Sequence, residues 1–308
     1  MQDRTTLLVA KDKHLYFFGN LSGIDVIAGN QLLRVPFDSE YWKNKLSRYY
    51  QIVFLDYGFE PIMAEIVRPL TQAKLILFFW NHMTEEKILL LRQTQAEQNI
   101  DDIYSFDPIE AQEFSLKHNS SFYSKQLTLP DRELKHDLFF GASNNGRMDV
   151  AKTVLAILNT LHIDSHYFIL KGKGNDQEGY LPYNDYLSLV AQSKGILEIM
   201  RSGQTGLTLR TLESLFFKKK LVTTNSKIRY YHFYNPENIF IIGKDDFDDL
   251  PDFLNSPYQE QESTETFLDF FSDRQWAQRF YEDNTQIYEE IEYDSELIQY
   301  RRQQITVL

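Results

Sequence analysis

Short apolar runs alternate with stretches whose apolar positions recur every three or four residues, over most of this chain. TTLLVA (5–10), IDVIAG (24–29), QIVFLD (51–56) and KLILFFW (74–80) predict strands. The intervening segments predict helices. KDKHLYFFGNLSG (11–23) stops at Gly23, and DSEYWKNKLSRYY (38–50) has Asp38 or Ser39 as its N-cap. EPIMAEIVRPLTQA (60–73) carries Pro61 near its start and Pro69 near its end. Continuous apolar strands separated by helices mark parallel strands covered on both faces, so this order implies a doubly wound sheet.

A second cycle follows. DLFFGAS (137–143), SHYFIL (165–170), GILEIM (195–200), KLVTT (220–224) and IFII (239–242) predict strands. MDVAKTVLAILNTL (148–161), NDYLSLVAQSK (184–194) and LTLRTLESLFFKK (207–219) predict helices. Pro130-Asp131-Arg132 between the cycles reads as a linker, and the tail is helix-forming with aromatic residues near helical spacing. The expected organisation is an N-terminal Rossmann-like domain over 1–134, a second over 135–272, and a helical segment over 273–308 packing back across both.

Composition narrows the function classes. With 308 residues the chain is long enough for two cores. Its net charge of −12 argues against a broad surface for duplex nucleic acid, so no nucleic-acid partner is expected. The absence of cysteine excludes disulfides, thiolate nucleophiles and cysteine-held metals. The N-terminus lacks the apolar core of a signal peptide, and no run approaches the ~20 residues that span a bilayer. The expectation is a cytoplasmic protein. The acidic GKDDFDDLPDF lacks the spaced ligands of a calcium loop and reads as a solvated helix start, and Asp107 in FDP reads as a helix cap.

One segment carries candidate chemistry. In SGQTGLTLRTLESLFFKKKLVTTN (202–225), a turn bracketed by Gly203 and Gly206 leads from a strand into a helix. In parallel sheets that position presents unpaired N–H groups and the positive end of the helix dipole to an anion. Thr205 and Thr208 add hydroxyls, and Arg210 and Glu213, three apart, share one helix face. The same residues also describe a surface turn before an amphipathic helix with an internal ion pair, and spacing alone leaves both readings open.

This segment resembles the donor site of GT-B glycosyltransferases, particularly bacterial lipopolysaccharide and capsular polysaccharide transferases. Gly206-Leu207 falls on the family's Gly-Leu, and Glu213 on the glutamate that holds the nucleotide ribose. Gln204, Thr205 and Thr208 then fall where diphosphate and donor sugar are expected. Retaining members carry a further glutamate where this chain has Thr205, which tilts the expectation towards inversion. FFGASNNGRMDVAK (139–152) resembles the opening of the nucleotide domain, with Arg147 aimed at the diphosphate; on its own it also reads as a turn whose arginine neutralises nearby carboxylates. Leu181 and Tyr183 fall near the nucleobase wall, with packing an equal reading for Tyr183. Tyr231 and Asn235 fall where they could line the cleft, although core packing suits the tyrosine better. The resemblance spans about residues 137–245; the first half matches in organisation only.

The resemblance implies a GT-B fold of class α/β, two Rossmann-like doubly wound domains facing a cleft and closed by C-terminal helices. It implies a hexosyltransferase-like enzyme that moves sugar from a UDP- or GDP-linked donor to a polysaccharide, glycolipid or glycoprotein acceptor in bacterial surface glycan synthesis. No metal and no further cofactor are expected, because diphosphate charge falls to arginines and a helix start. A general base would come from the first half, where Asp56, Glu60 and His82 stand near strand ends. Each has a plainer reading, as a cap, a solvated first-turn residue or a bridge between loop carbonyls. A lipid-linked acceptor would bring peripheral contact with the inner face of the plasma membrane, and YWKNKLSRYY (41–50) suits either that contact or a core-facing helix. A homo-oligomer or a partner transferase is compatible. The competing reading is a non-catalytic GT-B module that stabilises or activates a partner transferase. A dehydrogenase is disfavoured because no G-x-G-x-x-G follows the first strand.

Overall fold

The computed structural model describes residues 6–12, 21–170 and 181–281. The chain divides into two compact units, residues 1–126 with 272–283, and residues 127–271 with 284–308. Most of the helix expected over 11–23, residues 171–180 and the expected helical tail beyond Tyr281 lie outside the described residues.

The first unit is built on a six-stranded sheet. Its strands are β1 (Thr6–Ala10), β2 (Ile24–Ala28), β3 (Gln51–Leu55), β4 (Lys74–Phe79), β5 (Asp102–Ser105) and β6 (Lys117–His118), in the order β2-β1-β3-β4-β5-β6 with neighbouring strands parallel. β1 and β3 are buried along their whole length, as strands covered on both faces must be. Helices α1 (Ser39–Leu46), α2 (Pro61–Val67), α3 (Glu85–Glu97) and α4 (Pro108–Glu113) fill the connections. Pro61 opens α2 as expected, whereas the Asp38 side chain makes no capping bond to α1. Asp107 does cap α4, accepting from the Ile109 and Glu110 amides. The sequence reading did not name α3, β5, α4 or β6, so this sheet is two strands wider than the four expected. A final helix, α10 (Asp273–Arg279), belongs to this unit, with Trp276 fully buried against Phe78, Phe122 and Phe280.

The second unit holds a five-stranded sheet of β7 (His136–Ser143), β8 (Ser165–Leu170), β9 (Ser193–Glu198), β10 (Lys220–Thr223) and β11 (Ile239–Ile241), in the order β11-β10-β9-β7-β8 and again parallel. It carries α5 (Met148–Thr160), α6 (Tyr183–Ala191), α7 (Leu209–Phe216), α8 (Leu250–Asn255) and α9 (Thr264–Phe270). The order reverses between β7 and β9, whose chain continuations run to opposite sides, and β9 sits centrally between β7 and β10. Ligands in such sheets bind beyond the carboxyl ends of the strands near this reversal. The acidic 243–253 stretch is a helix start, with Asp246 capping the Asp248 amide. Among the described residues, no helix is long and apolar enough to cross a membrane.

Candidate functional site

At the carboxyl ends of β7, β9 and β10 the second unit gathers a set of polar side chains inside an apolar layer. β9 ends in Glu198, which is fully buried. The chain then passes Arg201 and a turn in which Gly203 has φ +80°, a left-handed conformation that side-chain-bearing residues rarely hold. Gly206 and Leu207 are buried, and Thr208 is the N-cap of α7, its hydroxyl accepting from the Arg210 amide at 3.1 Å. The hydroxyl of Thr208 also donates to Glu198. Gln204 reaches the Gly206 carbonyl at 3.5 Å, a marginal contact, and Thr205 is half-buried.

Two arginines approach this turn, Arg147 buried and Arg210 half-buried. Arg147, just before α5, is 6% exposed and donates through Nη1 to the Ile199 carbonyl at 2.7 Å. Arg210, in the first turn of α7, donates through Nη1 to the Gly141 carbonyl at 3.0 Å. Neither makes an ion pair with a carboxylate among the described residues, and the Nε of each is buried without a hydrogen-bond partner. The buried Asn144 Oδ1 and Asn225 Nδ2, just past β7 and β10, are unpartnered as well. Burial, with the neighbouring charges of Arg210 and Arg201, pushes the Arg147 guanidinium down to about 10, and Glu198 partly offsets this. Three like charges held close together, with dry and unsatisfied N–H groups, form an arrangement that an anion would complete. The alternative in which Arg147 merely neutralises nearby carboxylates is not what the contacts show.

Glu213 lies deeper than a surface ion pair would. It is 1% exposed, and its carboxylate accepts from the Tyr183 hydroxyl at 3.0 Å and the Tyr186 hydroxyl at 2.6 Å. The two tyrosine rings stack with centroids 5.6 Å apart. Burial raises the Glu213 carboxyl to about 7, against the opposing pull of the two tyrosine hydroxyls and Arg210, with Glu198 adding to the rise. The Arg210–Glu213 ion pair admitted by their spacing is not formed; Arg210 turns to β7 instead. Tyr186 lies over Gly141, where an added Cβ would stand 2.5 Å from the ring. Leu181 is half-buried ahead of α6. Tyr231 is buried and packs on Phe233, while Asn235 caps its own turn through the Glu237 amide.

Sequence reasoning missed Glu198, Arg201, Tyr186, Thr211 and Thr223. The signal for Glu198 was a lone carboxylate inside the apolar run GILEIM, a residue type that a central strand tolerates only with dedicated partners.

The candidate bases of the first unit are placed differently from one another. Asp56, just past β3, is buried and accepts from the Trp80 amide at 2.8 Å, from Asn81, and from Lys87 at 2.5 Å. Glu60 precedes α2, is exposed, and makes no capping bond. His82 follows β4, and its buried Nδ1 lies 2.5 Å from Glu110 Oε1. That approach is close but out of line for a hydrogen bond, so it is an electrostatic contact rather than a formed bond. Glu110 itself accepts from the Met83 amide at 2.7 Å and from the Ser105 hydroxyl.

Among solved structures, an α-glucosyltransferase in complex with UDP and a 13-mer DNA containing a central A:G mismatch superposes with a TM-score of 0.52 at 9% identity, over 99% of this chain and 100% of that one. A glycosyltransferase from Rickettsia africae ESF-5 (TM-score 0.42, 11% identity, 94% and 99% covered) and an α1,3-fucosyltransferase (0.41, 11%, 88% and 90%) match more loosely, too loosely to carry an argument. No protein-family model matches the sequence, and no match is found among curated proteins. The first likeness shows the fold: α/β with two parallel sheets, the GT-B pattern expected from the sequence.

Proposed function

We propose that this chain is a glycosyltransferase that draws its sugar from a nucleotide-sugar donor held at the carboxyl ends of β7, β9 and β10. The supporting observation is the pair of arginines, buried Arg147 and half-buried Arg210, that form no ion pair with a carboxylate among the described residues and keep buried, unpartnered Nε–H groups beside the start of α7. A diphosphate supplies the missing acceptors and charge, and negative charge develops on that same group as the glycosidic C–O bond breaks. The bound UDP of the α-glucosyltransferase that shares the fold is consistent with this reading.

In this reading Gln204, Thr205, Gly206, Leu207 and Thr208 border the diphosphate and the donor sugar. Leu181 and Tyr183 border the base. The ribose meets Glu213 by taking the place of the Tyr183 hydroxyl, the longer of its two contacts. The donor is UDP- or GDP-linked, no metal is required, and the acceptor is a polysaccharide, glycolipid or glycoprotein of a bacterial surface, reached at the cytoplasmic face of the membrane. Of the three candidate bases, His82 fits best: Asp56 is bound to a lysine, Glu60 has no fixed partner, and His82 lies beside the Glu110 carboxylate with no hydrogen bond to its Nδ1.

Thermal denaturation with UDP, GDP, UDP-glucose, UDP-N-acetylglucosamine and GDP-mannose tests the reading. A ligand at one hundred times its dissociation constant stabilises by about 2.7 kcal/mol. Unchanged melting with every nucleotide overturns it. The commitment of Asp56 to Lys87 also favours a second reading, a donor-binding module without turnover. Hydrolysis of a bound nucleotide sugar, abolished in Glu213→Ala, decides for the enzyme.

A further inference from the structure

A buried carboxylate in the middle of a sheet normally meets a cation; Glu198 meets three threonines. Its Oε1 accepts from the Thr208 and Thr211 hydroxyls, the latter at 2.8 Å, and its Oε2 from the Thr223 hydroxyl at 2.5 Å. No lysine or arginine lies within ion-pairing distance of it among the described residues. We propose that Glu198 is the positioning residue of the anion site, holding the N-cap of α7 and the turn after β10 in the geometry that receives a diphosphate. This rests on the reading of the second unit as a diphosphate site.

The argument is one of proton direction. A carboxylate only accepts, so the hydroxyl protons of all three threonines are committed to Glu198. Their lone pairs are thereby aimed elsewhere. Thr208 accepts the Arg210 amide at 3.1 Å, and Thr223 accepts the Asn225 amide at 2.9 Å. One carboxylate therefore sets the cap of α7, the first residues after β10, and Thr211 in the first turn of α7 together. Asn225 and Arg210 are the residues whose remaining N–H groups, Nδ2 and Nε, are left buried and unpartnered. The network spends its acceptors on the backbone and leaves these side-chain donors for a ligand.

Simple packing does not require this residue. Ile196, Leu212, Leu215 and Leu221 on these same elements are already buried, and a well-packed aliphatic residue is commonly as stabilising as a buried charge. Glu198 also lies close enough for its charge to favour that of Arg147, which burial opposes.

Two accounts of Glu198 predict opposite signs. If it acted only through its charge, Glu198→Gln would remove repulsion and tighten anion binding. As a positioning residue, the same change weakens it. The amide nitrogen of glutamine meets a threonine hydroxyl as a second donor, so a hydroxyl must turn its proton away, and where that hydroxyl is Thr208 or Thr223 the new donor competes with the Arg210 or Asn225 amide for its lone pairs. Binding of inorganic pyrophosphate and of UDP is measured by calorimetry on the full chain, with cooperative melting as the folding control. Glu198→Gln and Thr208→Val are expected to weaken both ligands about fivefold to tenfold, the loss of roughly one cap hydrogen bond. Thr208→Ser, which keeps the hydroxyl, restores binding. Wild-type affinity or tighter in a folded Glu198→Gln overturns the inference; should that variant not fold, undiminished binding in Thr208→Val overturns it. A wild-type chain that binds neither pyrophosphate nor UDP defeats the anion-site reading itself, a result distinguishable from either.

Discussion

The two units bury carboxylates at equivalent ends of their sheets and satisfy them in opposite ways. In the first unit, Asp56 is met by a lysine, a backbone amide and an asparagine, and Glu110 by an amide, a serine and a histidine. The charge of Asp56 is neutralised in place by Lys87. In the second unit, Glu198 and Glu213 are met by hydroxyls alone, three threonines and two tyrosines. Hydroxyls satisfy a carboxylate without cancelling its charge, and they leave Arg147 and Arg210 without carboxylate partners. The first arrangement holds a loop together. On the proposed reading, the second keeps cations in reserve for a molecule that comes from outside.

The sharpest way to break this comparison is to remove a cation from the first unit. Lys87→Met leaves Asp56 buried and uncompensated, and stripping one partner from a buried pair costs about 3–5 kcal/mol. The denaturation midpoint should fall accordingly, with nucleotide affinity unchanged in whatever chain remains folded. A loss below about 1 kcal/mol would show that the pair is not what fixes the loop at Trp80 and Asn81.

Next in size is the pH dependence of Glu213. Its carboxyl is raised to about 7 in the folded chain, chiefly by burial, so the folded state holds a proton that the unfolded state has released. Its contribution is therefore largest below the ordinary carboxylate value of 4.5 and is lost as pH rises through about 7. On the order of 3 kcal/mol is at stake over that window. Stability of the wild type relative to Glu213→Gln, followed by urea unfolding from pH 4.5 to 8, should decline across the window and then level. A flat difference would mean that the tyrosine hydroxyls hold the carboxylate charged despite its burial.

Arg147→Met should do the reverse of Lys87→Met. It removes a desolvated charge and leaves the Ile199 carbonyl unpaired, so stability should move by less than about 1.5 kcal/mol. Binding of UDP, in contrast, should weaken about tenfold to a hundredfold, the worth of a charge-assisted hydrogen bond. If the melting temperature collapses while UDP affinity holds, the arginine is a strut and the contrast between the units fails.

What the sequence disclosed follows from range. Strands and helices of the second unit were readable because each depends on neighbours within a few residues, as in the alternation of SHYFIL and MDVAKTVLAILNTL. The turn at Gly203 was readable for the same reason, whereas the helix begins at Leu209 behind a Thr208 cap rather than at Leu207. The partners of the buried carboxylates were not. Glu213 is held by residues 27 and 30 positions away, and Glu198 by one 25 positions away. A three-residue spacing suggested that Arg210 would pair with Glu213, but the approach of β7 offers Arg210 the Gly141 carbonyl and that of α6 offers Glu213 two tyrosines. In the first unit, the helix over Glu85–Glu97 has apolar residues bunched rather than spread along one face, which hid it beside the plainer α2.

The smallest effects come from adding a single methyl group at a glycine in each unit. At Gly141 the new Cβ would lie 2.5 Å from Tyr186 and 2.9 Å from Phe139, both rings in a packed layer. Tyr186 must move, and its 2.6 Å bond to Glu213 moves with it. Gly141→Ala should cost about 1–3 kcal/mol as an overpacked site, and it should also shift the pH dependence assigned to Glu213. At Gly29 the Cβ would meet the Met63 Cε and Sδ at 3.3 Å. A thioether chain has rotamers to yield with, so Gly29→Ala should change stability by less than about 1 kcal/mol. Equal costs at the two positions would mean that Tyr186 gives way as easily as a methionine, and the tyrosine pair would then be filler around Glu213 rather than the element that holds it.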